Sequence, residues 1–158
     1  MLWTNPLQLQ DTKVRIAERA AAAMAGLWGN HAYEAVYIMT YHDDRGEQLS
    51  GERTYTLRLE PPPPVGAFWS LTMYDTPTLY LIENELDRYS IGDRTPGIIY
   101  GAGGSLTITI SHAKPIDPLA AANWLPAPAG DFRPVLRMYE PTPAVLDGSY
   151  VVPAITRM

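Results

Sequence analysis

Residues 75–94 concentrate the reactive side chains of this sequence. Asp75, Glu83, Glu85, Asp87 and Asp93 supply carboxylates, Arg88 and Arg94 lie among them, and Tyr89 and Ser90 add hydroxyls. Two carboxylates facing each other across a groove can divide general acid and general base work on a glycosidic bond. That makes Asp75, Asp87 and Asp93 the candidate catalytic residues of a metal-independent, glycosidase-like hydrolase. The same carboxylates paired with Arg88 and Arg94 would instead pin a loop through local ion pairs. This second arrangement demands fewer coincidences, so a binding or accessory module for a small polar or carbohydrate-like ligand is the first expectation and the hydrolase the alternative. For the module, Tyr74, Arg88, Tyr89, Arg94 and Trp124 are the candidate ligand-binding residues. Aromatic faces stack on sugar rings, and arginines donate to anionic or hydroxyl-rich groups.

Other chemistries find less material. His31, His42 and His112 are too scattered for a recognisable metal spacing, although His42 with Asp43 and Asp44 would approach His112 if their strands paired. No metal and no cofactor are therefore expected. Ser70 or Ser90 with His112 and Asp93 has the residue types of a hydrolytic triad, but no Gly-x-Ser-x-Gly elbow is present. With no cysteine the chain has neither a thiolate nucleophile nor a disulfide framework.

Charge narrows the partners. A net charge of −5, with 12 basic residues against 17 acidic ones, is unsuited to a phosphate backbone, so nucleic acid is not an expected partner. No apolar run approaches the roughly 20 residues that span a bilayer, and residues 1–10 lack the basic and apolar regions of a signal peptide. The chain reads as soluble, and cytoplasmic if it is complete.

The elements that must position these residues are short. At 158 residues one domain with one core is expected, and 15 prolines with 12 glycines favour many turns and a mainly β fold. After a tail at 1–10, residues 11–28 carry Val14, Ala17, Ala21, Met24 and Trp28 at helical spacing before Gly29. Its small-residue face suits close packing, against its own sheet or against a companion domain or identical subunit. Residues 35–42 and 53–59 read as a hairpin around residues 43–46, and the prolines at 61–64 as a stiff crossover. Residues 67–75 form the central strand, and 79–82 a short strand into the polar cluster. Residues 97–100 and 105–112 read as a second hairpin around the glycines at 101–104. In SLTITISH, Leu106, Ile108 and Ile110 should point inward, leaving Ser105, Thr107, Thr109 and Ser111 as a hydroxyl stripe facing solvent. Residues 134–140 make the last full strand. Trp69, Leu71 and Met73 should be buried with Leu106, Ile108, Ile110, Leu136 and Met138.

Several long stretches occur in a recognisable order: FWSLTMYD, NELDRYSIGDRTPG, GSLTITISH, NWLPAPAGDFRPVLRMYEP, VLDGSY and a terminal PAI. Together they resemble the bacterial family called domain of unknown function 1214, from the helix to the end of the chain. The resemblance implies a jelly-roll-like antiparallel β-sandwich with one N-terminal helix over residues 11–158. It also implies a place C-terminal to a companion domain, domain of unknown function 1254, in longer proteins. This chain departs from that layout: it starts with Met just upstream of the helix, as a short stand-alone member or a fragment would. In the turn GAGGS, no acidic residue stands where a cation-holding turn would place one. The resemblance lends no activity.

Overall fold

The computed structural model describes residues 31–158. The helix expected at residues 11–28, and the tail before it, lie outside the described residues. Among the described residues, eight strands form two four-stranded sheets, and the connections carry two short α-helices and one 3-10 turn. β1 (Ala35–Met39), β7 (Phe132–Pro141), β3 (Val65–Asp75) and β4 (Ser90–Gly92) make the first sheet in that order. β6 (Trp124–Pro126), β5 (Leu106–Ser111), β2 (Tyr55–Leu59) and β8 (Thr156–Arg157) make the second. The pairings are antiparallel except β5 with β6, which run parallel, so the second sheet is mixed where an all-antiparallel fold was expected.

Alternation explains the core. Trp69, Leu71 and Met73 of β3, Ile91 of β4, and Leu136 and Met138 of β7 meet Tyr55, Leu57 and Leu59 of β2 and Leu106, Ile108 and Ile110 of β5 in one buried cluster. Every second residue of a strand faces the same way, so these positions fill one shared interior while the intervening ones point outward. The eight residues expected to be buried together are all in this cluster.

Neither expected hairpin forms as a pair of adjacent strands. β1 pairs with β7 and β2 with β5, so residues 35–42 and 53–59 belong to different sheets. The turn at residues 43–46 does close, with Gly46 N–H donating to Asp43 O at 3.0 Å, but its returning arm is Gln48, bridged to His42. Residues 97–100 are not a strand. The Asn123 side chain takes Ile99 N–H at 2.8 Å and donates to Ile99 O at 2.7 Å, satisfying the groups a neighbouring strand would need. Residues 79–82 are not a strand either, because Asp75 draws Tyr80 N–H onto its carboxylate at 2.9 Å and turns the chain back at once. The proline run is a crossover, as expected, from β2 in one sheet to β3 in the other.

The hydroxyl stripe is only partly wet. Thr107 is exposed, whereas Ser105, Thr109 and Ser111 are buried. Ser105 donates its hydroxyl to Ala102 O at 3.2 Å and Ser111 to Ala113 O at 2.7 Å. α1 (Pro118–Ala122) leads into the parallel neighbour β6, whose Trp124 donates its indole N–H to Ser111 O at 3.0 Å. After β7, α2 (Pro143–Leu146) leads toward the closing segment. None of the helices among the described residues is long and apolar enough to cross a membrane.

Candidate functional site

The polar cluster sits at the edge of the first sheet, where β3 meets β4. Their register sets Ser70 opposite Gly92 and Thr72 opposite Ser90. Phe68, Ser70, Ser90 and Gly92 lie on the face away from Trp69, Leu71 and Ile91, and so look outward. Gly92 is required by the backbone: a Cβ there would stand 2.2 Å from Trp69 O, so the two strands can approach only without a side chain.

A groove of about 680 Å³ opens on this edge. Phe68, Ser70, Ser90 and Gly92 line it from the strands, residues 86–89 from the loop before β4, and residues 94–96 from the turn after it. The loop wall is tied from within. Asn84 Oδ1 accepts Arg88 N–H at 3.0 Å, and Asn84 Nδ2 donates to Arg88 O at 3.1 Å, closing the loop on itself. The Arg88 guanidinium then reaches across to donate to Ala122 O and Trp124 O, each at 3.0 Å, which fastens the loop to the junction of α1 and β6. A charged donor on two carbonyls satisfies backbone acceptors that the end of a short helix leaves open.

The opposite wall is organised by stacking. Tyr139 and Phe68 stack with centroids 4.3 Å apart and planes 20° from parallel, and the Arg94 guanidinium carbon stands 4.2 Å from the Phe68 ring centroid. Arg94 Nη2 donates to Ala67 O at 3.3 Å. Its sequence neighbour Asp93 is engaged elsewhere, with Oδ1 accepting Trp69 N–H at 3.1 Å. Neither Arg88 nor Arg94 forms an ion pair among the described residues, where the four ion pairs are Arg53–Glu47, Arg58–Glu60, Lys114–Glu85 and Arg157–Glu47. The expected pinning of the loop by arginine–carboxylate pairs is therefore corrected. Carbonyls hold Arg88, and an aromatic ring holds Arg94.

The carboxylates do not converge. Asp75 accepts from the Thr78 hydroxyl at 2.6 Å and from Tyr80 N–H, as the anchor of its own turn. Asp93 serves β3. Only Asp87 among the three lines the groove, where Tyr89 donates to it at a long 3.4 Å. Burial pushes the Tyr89 phenol up from its ordinary range, and the neighbouring Asp87 charge adds to it, so Tyr89 is a neutral hydroxyl at ordinary pH.

Two other candidates stand outside the groove. Tyr74 lies on the same outer sheet face, its hydroxyl accepting from Arg137 at 2.6 Å. Trp124 is buried beneath the loop and receives Arg88 on its backbone oxygen, so it supports the groove from below. Groove residues not singled out in the sequence as ligand-binding include Phe68, Ser70 and Thr95, Ser70 having been weighed only as part of a hydrolytic triad. For the first two the signal was present, since the alternation that sends Trp69 and Leu71 inward must send Phe68 and Ser70 outward. The groups that could bind a metal do not gather into a cluster of three among the described residues. His112 rests its Nδ1 against Ala127 O at 3.1 Å, and His42 lies at the turn beside Gln48.

Groove, β3, β4 and their supports fall within residues 34–143, which match the family model described as protein of unknown function, DUF1214. The chain belongs to the DUF1214 family. Among solved structures, this DUF1214 chain is similar to the crystal structure of the VPA0106 protein from Vibrio parahaemolyticus, a structural genomics target. The TM-score is 0.79 and the identity 28%, over 98% of this chain and 39% of that one. The DUF1214 chain thus spans about two fifths of the length of that solved chain. No curated protein matches it.

Proposed function

We propose that this domain is a binding or accessory module that takes a small polar, hydroxyl-bearing ligand in the groove between Arg88 and Arg94, within a larger assembly. The observation that carries the reading is the division of the two arginines. One holds the loop in place from behind, and the other is exposed, with its guanidinium carbon 4.2 Å from the Phe68 ring centroid. Around it stand the hydroxyls of Ser70, Ser90 and Thr95, of which Thr95 Oγ1 already accepts Gly92 N–H at 2.9 Å and keeps its own O–H to donate. A groove with a pre-positioned guanidinium and several hydroxyls suits a compact polar ligand. The single carboxylate in the groove, Asp87, lacks the second that two-carboxylate hydrolysis requires, which weighs against the hydrolase alternative. The test is a glycan and metabolite screen by thermal shift, with hits repeated on Arg94→Ala. Hits lost in the variant support the reading, and hits that bind the variant equally well overturn it.

The finer fold reading, a jelly roll, draws support from the pairing of strands distant in sequence, β1 with β7 and β2 with β5. The larger assembly, through residues 11–28 and a companion domain or identical subunit, fits a chain that spans 39% of the longer solved one. Sedimentation of the wild type and Ala21→Trp tests the identical-subunit form, and a monomer in both would end it.

A further inference from the structure

We infer that the groove selects ligands carrying one anionic group, a carboxylate or a phosphate, beside hydroxyls, with Arg94 as the anion receiver and Asp87 with Tyr89 taking hydroxyls at the other end. The inference rests on the groove being a ligand site and adds what kind of ligand it takes.

Arg94 is a held but uncompensated charge. An exposed arginine ordinarily spreads over many rotamers, and the ordering of such a side chain is a cost that binding must meet. Here the contact with the Phe68 ring, itself stacked on Tyr139, and the bond to Ala67 O hold the guanidinium in place beforehand. The carboxylate placed to neutralise it, Asp93, is turned onto Trp69 N–H, and no other carboxylate pairs with Arg94 among the described residues. A planar fork with open N–H donors matches the two oxygens of a carboxylate or phosphate, whereas a neutral hydroxyl uses only one donor and gains nothing from the charge.

The stack also decides against the neutral alternative. A neutral sugar usually rests its apolar face on an exposed aromatic ring, but Phe68 has Tyr139 stacked against it and Arg94 over its ring. What the groove offers is therefore a cation's edge rather than a bare ring. At the far wall Asp87 repels a second anion and accepts from a hydroxyl, while Tyr89, kept neutral, can donate or accept. Ser70 and Ser90 lie between the two ends. A singly charged hydroxy acid or sugar phosphate fits this order of groups, and a ligand with anions at both ends does not.

The experiment is titration calorimetry on the intact chain at low salt with glucose, glucuronate, glucose 6-phosphate and inorganic phosphate. The expected result is that glucuronate or glucose 6-phosphate binds about tenfold or more tightly than glucose, with the advantage shrinking as salt rises. Whichever of the two binds more tightly identifies the anion as carboxylate or phosphate. Arg94→Gln should abolish the advantage, and Arg94→Lys, which keeps the charge without the fork, should retain part of it. Glucose binding as tightly as the acids, or an undiminished acid preference in Arg94→Gln, overturns anion selection while leaving the groove as a site. Inorganic phosphate binding as tightly as glucose 6-phosphate overturns the role given to the hydroxyls. Binding of none of the four overturns the inference, and the groove reading then stands or falls on the wider screen. The comparison among ligands uses the unaltered protein, so it does not depend on any variant folding.

Discussion

Two turns flank β4, and each brings an arginine to the same groove, yet the two regions use that residue in opposite ways. Before the strand, Arg88 is half-buried and donates to two carbonyls of another segment, so its charge is matched to backbone acceptors and its side chain bridges two parts of the fold. After the strand, Arg94 is exposed, bonded to one nearby carbonyl and stacked on a ring, with its charge unpaired. An arginine's role follows from what its donors meet. Donors that replace water with protein oxygens make architecture, and donors held in place but left to solvent make a receiver.

The core sets the scale against which this contrast is read. Ile108 is fully buried between the sheets, and Ile108→Ala should cost about 2–5 kcal/mol in a urea melt. A loss of only a few tenths would mean that the sheets do not pack as described. Next in size is Arg88→Ala, which strands the carbonyls of Ala122 and Trp124 and should cost about 1.5–3 kcal/mol. A melting temperature equal to the wild type would break the comparison from the architectural side.

Tyr150 sharpens the comparison, because it too is a donor to a backbone carbonyl, its hydroxyl lying 3.3 Å from Pro61 O. Burial pushes its phenol up to about 12 from the ordinary 10.0. The folded state therefore favours the neutral form: its contribution is intact below about pH 10 and is lost as pH rises from there through about 12. The urea midpoint should fall over that interval in the wild type and fall less in Tyr150→Phe. Parallel curves would remove Tyr150 from the architectural donors. The smallest effect on stability belongs to Arg94→Ala, about 0.5–1 kcal/mol for an exposed cation on a ring. A cost matching that of Arg88→Ala would make both arginines architecture.

What was legible in the sequence follows the range of the interactions. Alternation in a strand is local, so the inward faces of residues 69–73 and 106–110 read correctly, and the density of polar groups at residues 87–94 marked the groove. Pairing is not local. Residues 35–42 and 53–59 have hairpin spacing, but nothing in either reveals that each bonds to a strand dozens of residues away. The same limit hid Asn123, whose side chain replaces a strand partner for Ile99, and Trp124, whose aromatic ring suggested a ligand platform until β6 packed it against β5. Asp75, Asp87 and Asp93 looked like a set because they are close in sequence. Asp75 anchors its own turn, Asp93 is drawn to Trp69 N–H of β3, and Asp87 alone of the three lines the groove, so carboxylates that are neighbours in sequence need not point into one space.

The measurement closest to the central claim is a two-dimensional amide NMR titration of the intact chain with glucuronate and with glucose 6-phosphate. The groove account predicts that with at least one of them the shifts concentrate on the amides of Ser70, residues 90–95 and Tyr89, and that they vanish in Arg94→Gln while the rest of the spectrum is unchanged. Shifts elsewhere on the protein, or groove shifts that persist without Arg94, would contradict it.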